Sequence, residues 1–266
     1  MLYSESLYFL SGKFIIGILI FIRITGMMAS APFLKSEAIP VSVKIMLSVI
    51  LSIVVTSAFW EEQGEIDLDL WFITLVAFKE FFLGLIFGFC ANFIFFAARM
   101  AGSLIDTEMG FQTSLLFDPS SGAPTLLGEI YELLVLMVFL ILNGHHHLIE
   151  GIFISLKAVP LMQFEITTST IDLLIKGLTN VLILSVKLAS PLIVALFLTN
   201  LSLALLGRIA PQTNIFTLSF QVKVFVGLIM LFLTIPLMVY VAKIAMDSFQ
   251  EDILKVLMTL NPKRVY

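Results

Sequence analysis

Two stretches of this sequence, Phe81–Ala98 and Leu188–Gly207, contain no charged side chain and are dominated by apolar residues. A helix needs about 20 such residues to cross the hydrocarbon core of a bilayer. Inside lipid every backbone N–H and C=O must be paired within the protein, so runs of this kind are expected as helices. Six candidate spans follow, at roughly 14–34, 44–60, 71–98, 130–156, 176–207 and 224–242. The first contains Arg23, and the third holds Lys79 and Glu80 near its start. The fourth is broken by Asn143-Gly144-His145-His146-His147, and Pro236 interrupts the sixth. Composition agrees: 59% of the 266 residues are hydrophobic and 13% charged, with a mean hydropathy of +1.07. Soluble domains carry about 45–50% and about 25%, so these charges are too few to cover a water-facing surface. The expected fold class is an all-α integral membrane protein with about six apolar helical segments and an irregular central loop.

Several function classes are excluded. Lys and Arg number 15 against 19 Asp and Glu, a net charge of −4. No basic field exists to hold nucleic acid. The single cysteine, Cys90, rules out an intramolecular disulfide and a thiolate metal cluster. Residues 1–12 contain Glu5 and no Lys or Arg, and the apolar stretch after Lys13 is too long for a signal h-region. A membrane helix is therefore expected there rather than a cleaved signal. His145, His146 and His147 are adjacent, so on a helix they fan out by about 100° each and cannot face one ion. His147-Leu-Ile-Glu150 is followed by Gly151, which leaves an HxxEH zinc motif incomplete. The Asn-Gly-His run is expected to cap a helix end. With no P-loop, GxSxG or GxGxxG, neither catalysis nor a cofactor is expected.

The link Glu61–Leu70 holds Glu61, Glu62, Glu65, Asp67 and Asp69, no basic residue, and a tryptophan on either side, Trp60 and Trp71. Trp favours the membrane interface, so this reads as an aqueous tip outside the cytoplasm. The remaining charges resist a simple topology. The side opposite the tip would carry Lys35, Lys44, Arg99, Arg208 and Lys223. The acidic side would carry Lys13, Lys157, Lys176, Lys243, Lys255, Lys263 and Arg264.

Residues 102–124 do not belong in a simple bundle. Gly110 and Gly122 permit positive φ, Pro119 and Pro124 stop a helix, and Asp118-Pro119-Ser120-Ser121-Gly122 is a turn sequence. Yet Met109, Phe111, Leu115, Leu116 and Phe117 are large and apolar. Loose backbone is untenable against lipid. The segment is either a re-entrant plug that closes a cavity by excluding water, or a surface loop docked on neighbouring helices. Arg23, within an apolar run, must be satisfied by protein. Lys79 and Glu80 point to different helix faces and do not pair. Gly84-Leu-Ile-Phe-Gly88 is a GxxxG that admits a second backbone closely.

These anchors, taken in order, carry a resemblance. Ala31-Pro32 follows the Arg-containing helix. Met109-Gly110, Phe117-Asp118-Pro119 and Gly122-Ala123 mark the central loop. Asn143-Gly144-His145-His146 with Leu148-Ile149 follows the fourth run. Ala210-Pro211-Gln212, Asn214-Ile215-Phe216, Phe220 and Lys223 lie between the last two. In this order and spacing the chain resembles the FliR family, the R subunit of the bacterial flagellar type III export gate, with SctT as the injectisome counterpart. The likeness covers essentially the whole sequence. It implies helices arranged as broken hairpins, with a P-like part at 1–175, including the plug loop 102–124, and a Q-like hairpin and tail at 176–266. It further implies no catalysis and no cofactor. FliP, FliQ and the switch subunit FlhB would be partners, and unfolded flagellar proteins the cargo. The setting would be the bacterial inner membrane in the flagellar basal body, with much of the gate on the periplasmic side. Met109, Gly110, Phe111, Leu115, Leu116, Phe117, Asp118, Pro119 and Gly122 would form the plug. Arg23, Gly84, Gly88, Pro211, Gln212, Asn214 and Lys223 would serve assembly. Against this stand a secondary transporter for a small solute, which would need an internal repeat the two halves do not show, and a membrane-embedded hydrolase, for which catalytic groups are missing.

Overall fold

In the computed structural model the described residues are 2–32, 39–59, 70–111, 125–212 and 214–260, and no strand occurs among them. The helices are α1 (Leu2–Ser30), α2 (Val41–Phe59), α3 (Leu70–Ala91), α4 (Phe93–Met109), α5 (Leu126–Ile141), α6 (Gly144–Ala158), α7 (Thr168–Ile209) and α8 (Ile215–Thr259). Five helical stretches are long and apolar enough to cross a bilayer: Gly12–Ser30, Val41–Phe59, Trp71–Ala91, Thr168–Ile209 and Thr217–Met246. The broken pair α5 and α6 brings the number to six if it is taken as one span. Asn143 supplies the bend, in the left-handed conformation at φ 59°, and its carbonyl accepts the His146 amide at 2.9 Å. The Asn-Gly-His run thus opens α6.

Three expectations are corrected. The apolar run 71–98 is two helices, not one. Asn92 breaks it: its amide bonds back three residues to Phe89 at 3.1 Å. Its side chain donates to Gly88 O at 3.0 Å and to Ser30 O, and it is the lone polar side chain in that charge-free run. Second, Pro236 does not interrupt the last run, since α8 continues through it. Helix α7 likewise continues through Pro191, where the Ser190 hydroxyl donates at 3.0 Å to Lys187 O, the carbonyl that the proline ring leaves without an amide donor. A lipid environment offers that backbone no alternative partner, so the helix is retained. Third, Gly102–Met109 are the last two turns of α4, so the irregular central segment begins at Gly110. The acidic link 61–69 and residues 112–124 lie outside the described residues.

The chain divides into two units. The first comprises residues 1–93, 143–177 and 247–266. Its centre is a parallel seam of α1 and α3 made by glycines. A Cβ on Gly84 would strike Arg23 O and would lie 2.8 Å from Met27 N, and one on Gly88 would meet Met27 O at 2.6 Å. Gly26 faces the α3 backbone in the same way at Phe81 and Leu85. Ile20, Ile24, Met27 and Leu83 are buried around this seam. The segment after α6 is apolar and docked, with Val159, Leu161 and Phe164 buried. Thr167 caps α7, its hydroxyl accepting the Thr170 amide at 3.2 Å while donating to Thr259 O at 3.0 Å.

The second unit comprises 94–142 and 178–246. Within it α4 and α5 cross antiparallel. Leu127, Tyr131, Val135 and Phe139 recur every four residues on α5 and are all buried, so one stripe of that helix faces the interior of the unit. Phe139 meets Phe95 edge to face at 5.5 Å. Gly102 and Gly128 bring the backbones together, a Cβ on Gly102 having no room beside Leu127 and Gly128. Large apolar side chains such as Phe197, Phe232, Leu233 and Tyr240 point outward from α7 and α8 and are more than half exposed.

Candidate functional site

Helix α4 ends in a glycine cap. Gly110 sits at φ +85°, where only glycine is unstrained, and its amide donates to Thr107 O at 3.2 Å. The Phe111 amide reaches back to Asp106 O at 3.0 Å. That pair of bonds is a Schellman motif, and it fixes the direction in which the chain leaves α4. Met109, just before the cap, is buried to 1% exposure and packs against Gly227 of α8, where a Cβ would meet its Sδ at 2.6 Å. Phe111 is half-buried, its ring edge-on to Phe220 with centroids 6.1 Å apart. Met109, Gly110 and Phe111 therefore lie together at the α4 end of the central connector. Leu115, Leu116, Phe117, Asp118, Pro119 and Gly122 fall outside the described residues.

Across the α4–α5 crossing lies a carboxylate that the sequence reading did not single out. Asp106 is fully buried, and its Oδ2 accepts the Leu127 amide at 2.9 Å. Thr125, at the cap position of α5, makes no side-chain cap bond of its own. Asp106 replaces it from the neighbouring helix. Oδ1 is buried without a hydrogen bond. Burial pushes the Asp106 pKa above the ordinary 3.8, while the amides of Leu127 and Gly128 and the Thr125 hydroxyl pull the other way without overcoming it. Nearby, Arg99 pairs with Glu132 through Nε and Oε2 at 2.6 Å on an exposed rim.

The residues expected to serve assembly fall in two places. Arg23, Gly84 and Gly88 meet in the α1–α3 seam. Arg23 is 2% exposed. Its Nε donates to Glu80 Oε2 at 2.6 Å, and a terminal amine donates to Val159 O at 3.0 Å. Glu80 also accepts the Met162 amide at 3.1 Å, with Met162 itself at φ 72°. Lys79, next in sequence, is exposed on the other face. Pro211, Gln212 and Asn214 lie at the exposed turn between α7 and α8, and Lys223 is half-buried on α8. Gly207 lies against Ile215 as the chain turns there. The signal for Glu80 was a second ionisable residue in an apolar run, and the signal for Asp106 was an acid just before a glycine stop. Neither named its partner.

Among the described residues no group of three or more His, Cys, Asp or Glu is placed to hold a metal ion.

A family model described as "Bacterial export proteins, family 1" matches residues 14–249. The Flagellar biosynthetic protein FliR of Bacillus subtilis is 29% identical over 218 residues, covering 80% of this chain and 83% of that protein. FliR of Aquifex aeolicus is 29% identical over 247 residues, covering 92% and 94%. The Surface presentation of antigens protein SpaR of Shigella flexneri is 29% identical over 216 residues, covering 80% and 82%.

Proposed function

Because the chain belongs to the bacterial export proteins of family 1, as a member of the FliR family, we propose that it is a channel-forming structural subunit of the flagellar type III export gate. Membership makes it an integral membrane component of the export apparatus in flagellar biosynthesis. The finer reading is that it assembles with FliP and FliQ, contacts the switch subunit FlhB, and passes unfolded flagellar subunits across the inner membrane. In this reading residues 1–175 are P-like and 176–266 Q-like, and part of the gate stands on the periplasmic side of the basal body. The chain carries out no catalysis.

The observation that carries the channel reading is the α4–α5 junction. Two helices of one unit end and begin at an apolar connector. Its first residue, Gly110, occupies a glycine-only conformation, and its next, Phe111, leans on Phe220. Met109 through Phe117, with Asp118, Pro119 and Gly122 as the turn, would close the resting channel. A constriction lined by such side chains dewets and blocks small ions without any charge. Other features lend support. Helix α7, with 42 residues, extends about 60 Å at about 1.5 Å per residue, twice a hydrocarbon core of about 30 Å. That length suits a gate standing partly outside the bilayer. Outward apolar residues on α7 and α8 suit lipid and helical partners. Pro211, Gln212, Asn214 and Lys223 would form the cytoplasmic tip that meets FlhB, and Lys223→Glu should weaken that contact.

The test is deletion of 110–117 in a gate co-expressed with FliP and FliQ. The complex should assemble and the membrane should leak small ions. A deleted complex that assembles, stays tight and exports normally would return the segment to a docked loop.

A further inference from the structure

The two ends of the central connector are tied to one residue. Asp106 accepts the Phe111 amide at its main-chain carbonyl, at 3.0 Å, and the Leu127 amide at its carboxylate, at 2.9 Å. The first bond belongs to the cap that stops α4. The second satisfies a first-turn amide of α5, one of the donors that a helix start leaves without an internal partner. Thr125 leaves that task open, and the Gly102–Gly128 contact brings α5 near enough for a side chain of α4 to reach it. A negative group at that helix start is also favoured by the aligned peptide dipoles. We propose that Asp106 is a latch: a positioning residue that locks the end of α4 to the first turn of α5 and so fixes the places from which the connector departs. What the latch needs is an acceptor at Oδ2, since the donor is a neutral amide. The effect on the closed channel rests on the plug reading above; the latch does not.

Hydrogen exchange and ion leak, measured on the co-expressed complex, separate the two. In the unmodified complex the Leu127 amide should be protected. Asp106→Ala should speed its exchange on the order of five- to tenfold, the usual scale for a lost cap, and should raise the leak. Asp106→Asn keeps an oxygen acceptor and should restore both. The latch is overturned if Leu127 exchanges at the unprotected rate in the unmodified complex, a result that needs no variant to assemble. It is equally overturned if Ala leaves the exchange unchanged, or if Asn is as damaging as Ala. Accelerated exchange in Asp106→Ala, with a membrane that stays tight even when 110–117 is deleted, would uphold the latch and remove the plug.

Discussion

Glu80 and Asp106 are both carboxylates with no exposed surface, each bonded to a backbone amide. The difference lies in what else they hold. Glu80 has a guanidinium against it, and Arg23 in turn reaches Val159 O. The knot ties α1 and α3 to the segment after α6 and neutralises the charge where it is buried. Asp106 is held by the first-turn amides of α5 and the Thr125 hydroxyl, keeps one oxygen without a hydrogen bond, and has no cation bonded to it among the described residues. A buried ion costs several kcal/mol unless paired and hydrogen-bonded. The first site is therefore built to stay closed. The second is a buried acid with no described cation beside it, at the junction where the channel reading places one end of the plug.

Breaking the knot should have the largest effect. Arg23→Leu leaves Glu80 buried without its cation, a change worth about 3–5 kcal/mol. Loss of the proposed complex with FliP and FliQ, read as yield after detergent extraction, is the expected outcome. The double variant Arg23→Leu with Glu80→Met should recover much of it, because an apolar pair replaces the ions. Normal yield from the single variant, with export lost, would move Arg23 from assembly to transport.

Next comes the seam itself. Gly84→Val places a branched Cβ against Arg23 O and Met27 N, which are backbone atoms and cannot swing away. Overpacking of this kind costs about 1–3 kcal/mol. A fall in the thermal midpoint of the complex checks it. Gly12→Ala, where an added Cβ meets nothing within 4 Å, is the control and should not lower the midpoint.

A smaller effect is expected at Phe111. Removing its ring forfeits the edge-on contact with Phe220, about 0.5–1.5 kcal/mol for an aromatic pair. A double-mutant cycle of Phe111→Ala with Phe220→Ala should give a coupling within that range. The leak should be milder than in the deletion of 110–117. A coupling of zero would detach Phe111 from α8.

These contrasts also mark what could be read in the residues. Apolar length locates most of the helices, because a continuous apolar run of about 20 residues pairs its own backbone only as a helix. Arg23 declares its need for protein by its depth in such a run. Its partner is 57 positions away, beside an exposed lysine, and nothing local to Glu80 says which cation it meets. Asn92 was hidden by phenylalanines on both sides that continue the apolar run across the break. Pro236 misleads in the opposite direction: as a helix breaker in water it predicts a stop, and a helix surrounded by apolar groups has nowhere better to put its backbone. Asp106 was passed over because Gly102 to Met109 read as the start of a loop. The last two turns of α4 form there because Gly102 packs on α5 and the glycine cap at Gly110 lies two turns further on.

The smallest effect concerns the charge on Asp106, and its sign differs from that of an ordinary ion pair. Burial raises its pKa in the folded protein above the 3.8 of an exposed aspartate. Between those two values the folded chain holds a proton that the unfolded chain has released. Stability contributed by this group is therefore fully present at low pH and is lost as pH rises from about 3.8 through the folded value. Asp106→Asn removes the charge and keeps the acceptor for Leu127. At pH 7 the variant complex should be at least as heat-stable as the unmodified one. The two midpoints should converge as the pH falls through the folded pKa. An Asn complex that melts earlier at pH 7, with a gap that narrows on acidification, would mean that the ionised carboxylate is stabilised in the gate by a donor from a partner subunit reaching Oδ1. Asp106 would then belong with Glu80, as a paired charge rather than a strained one.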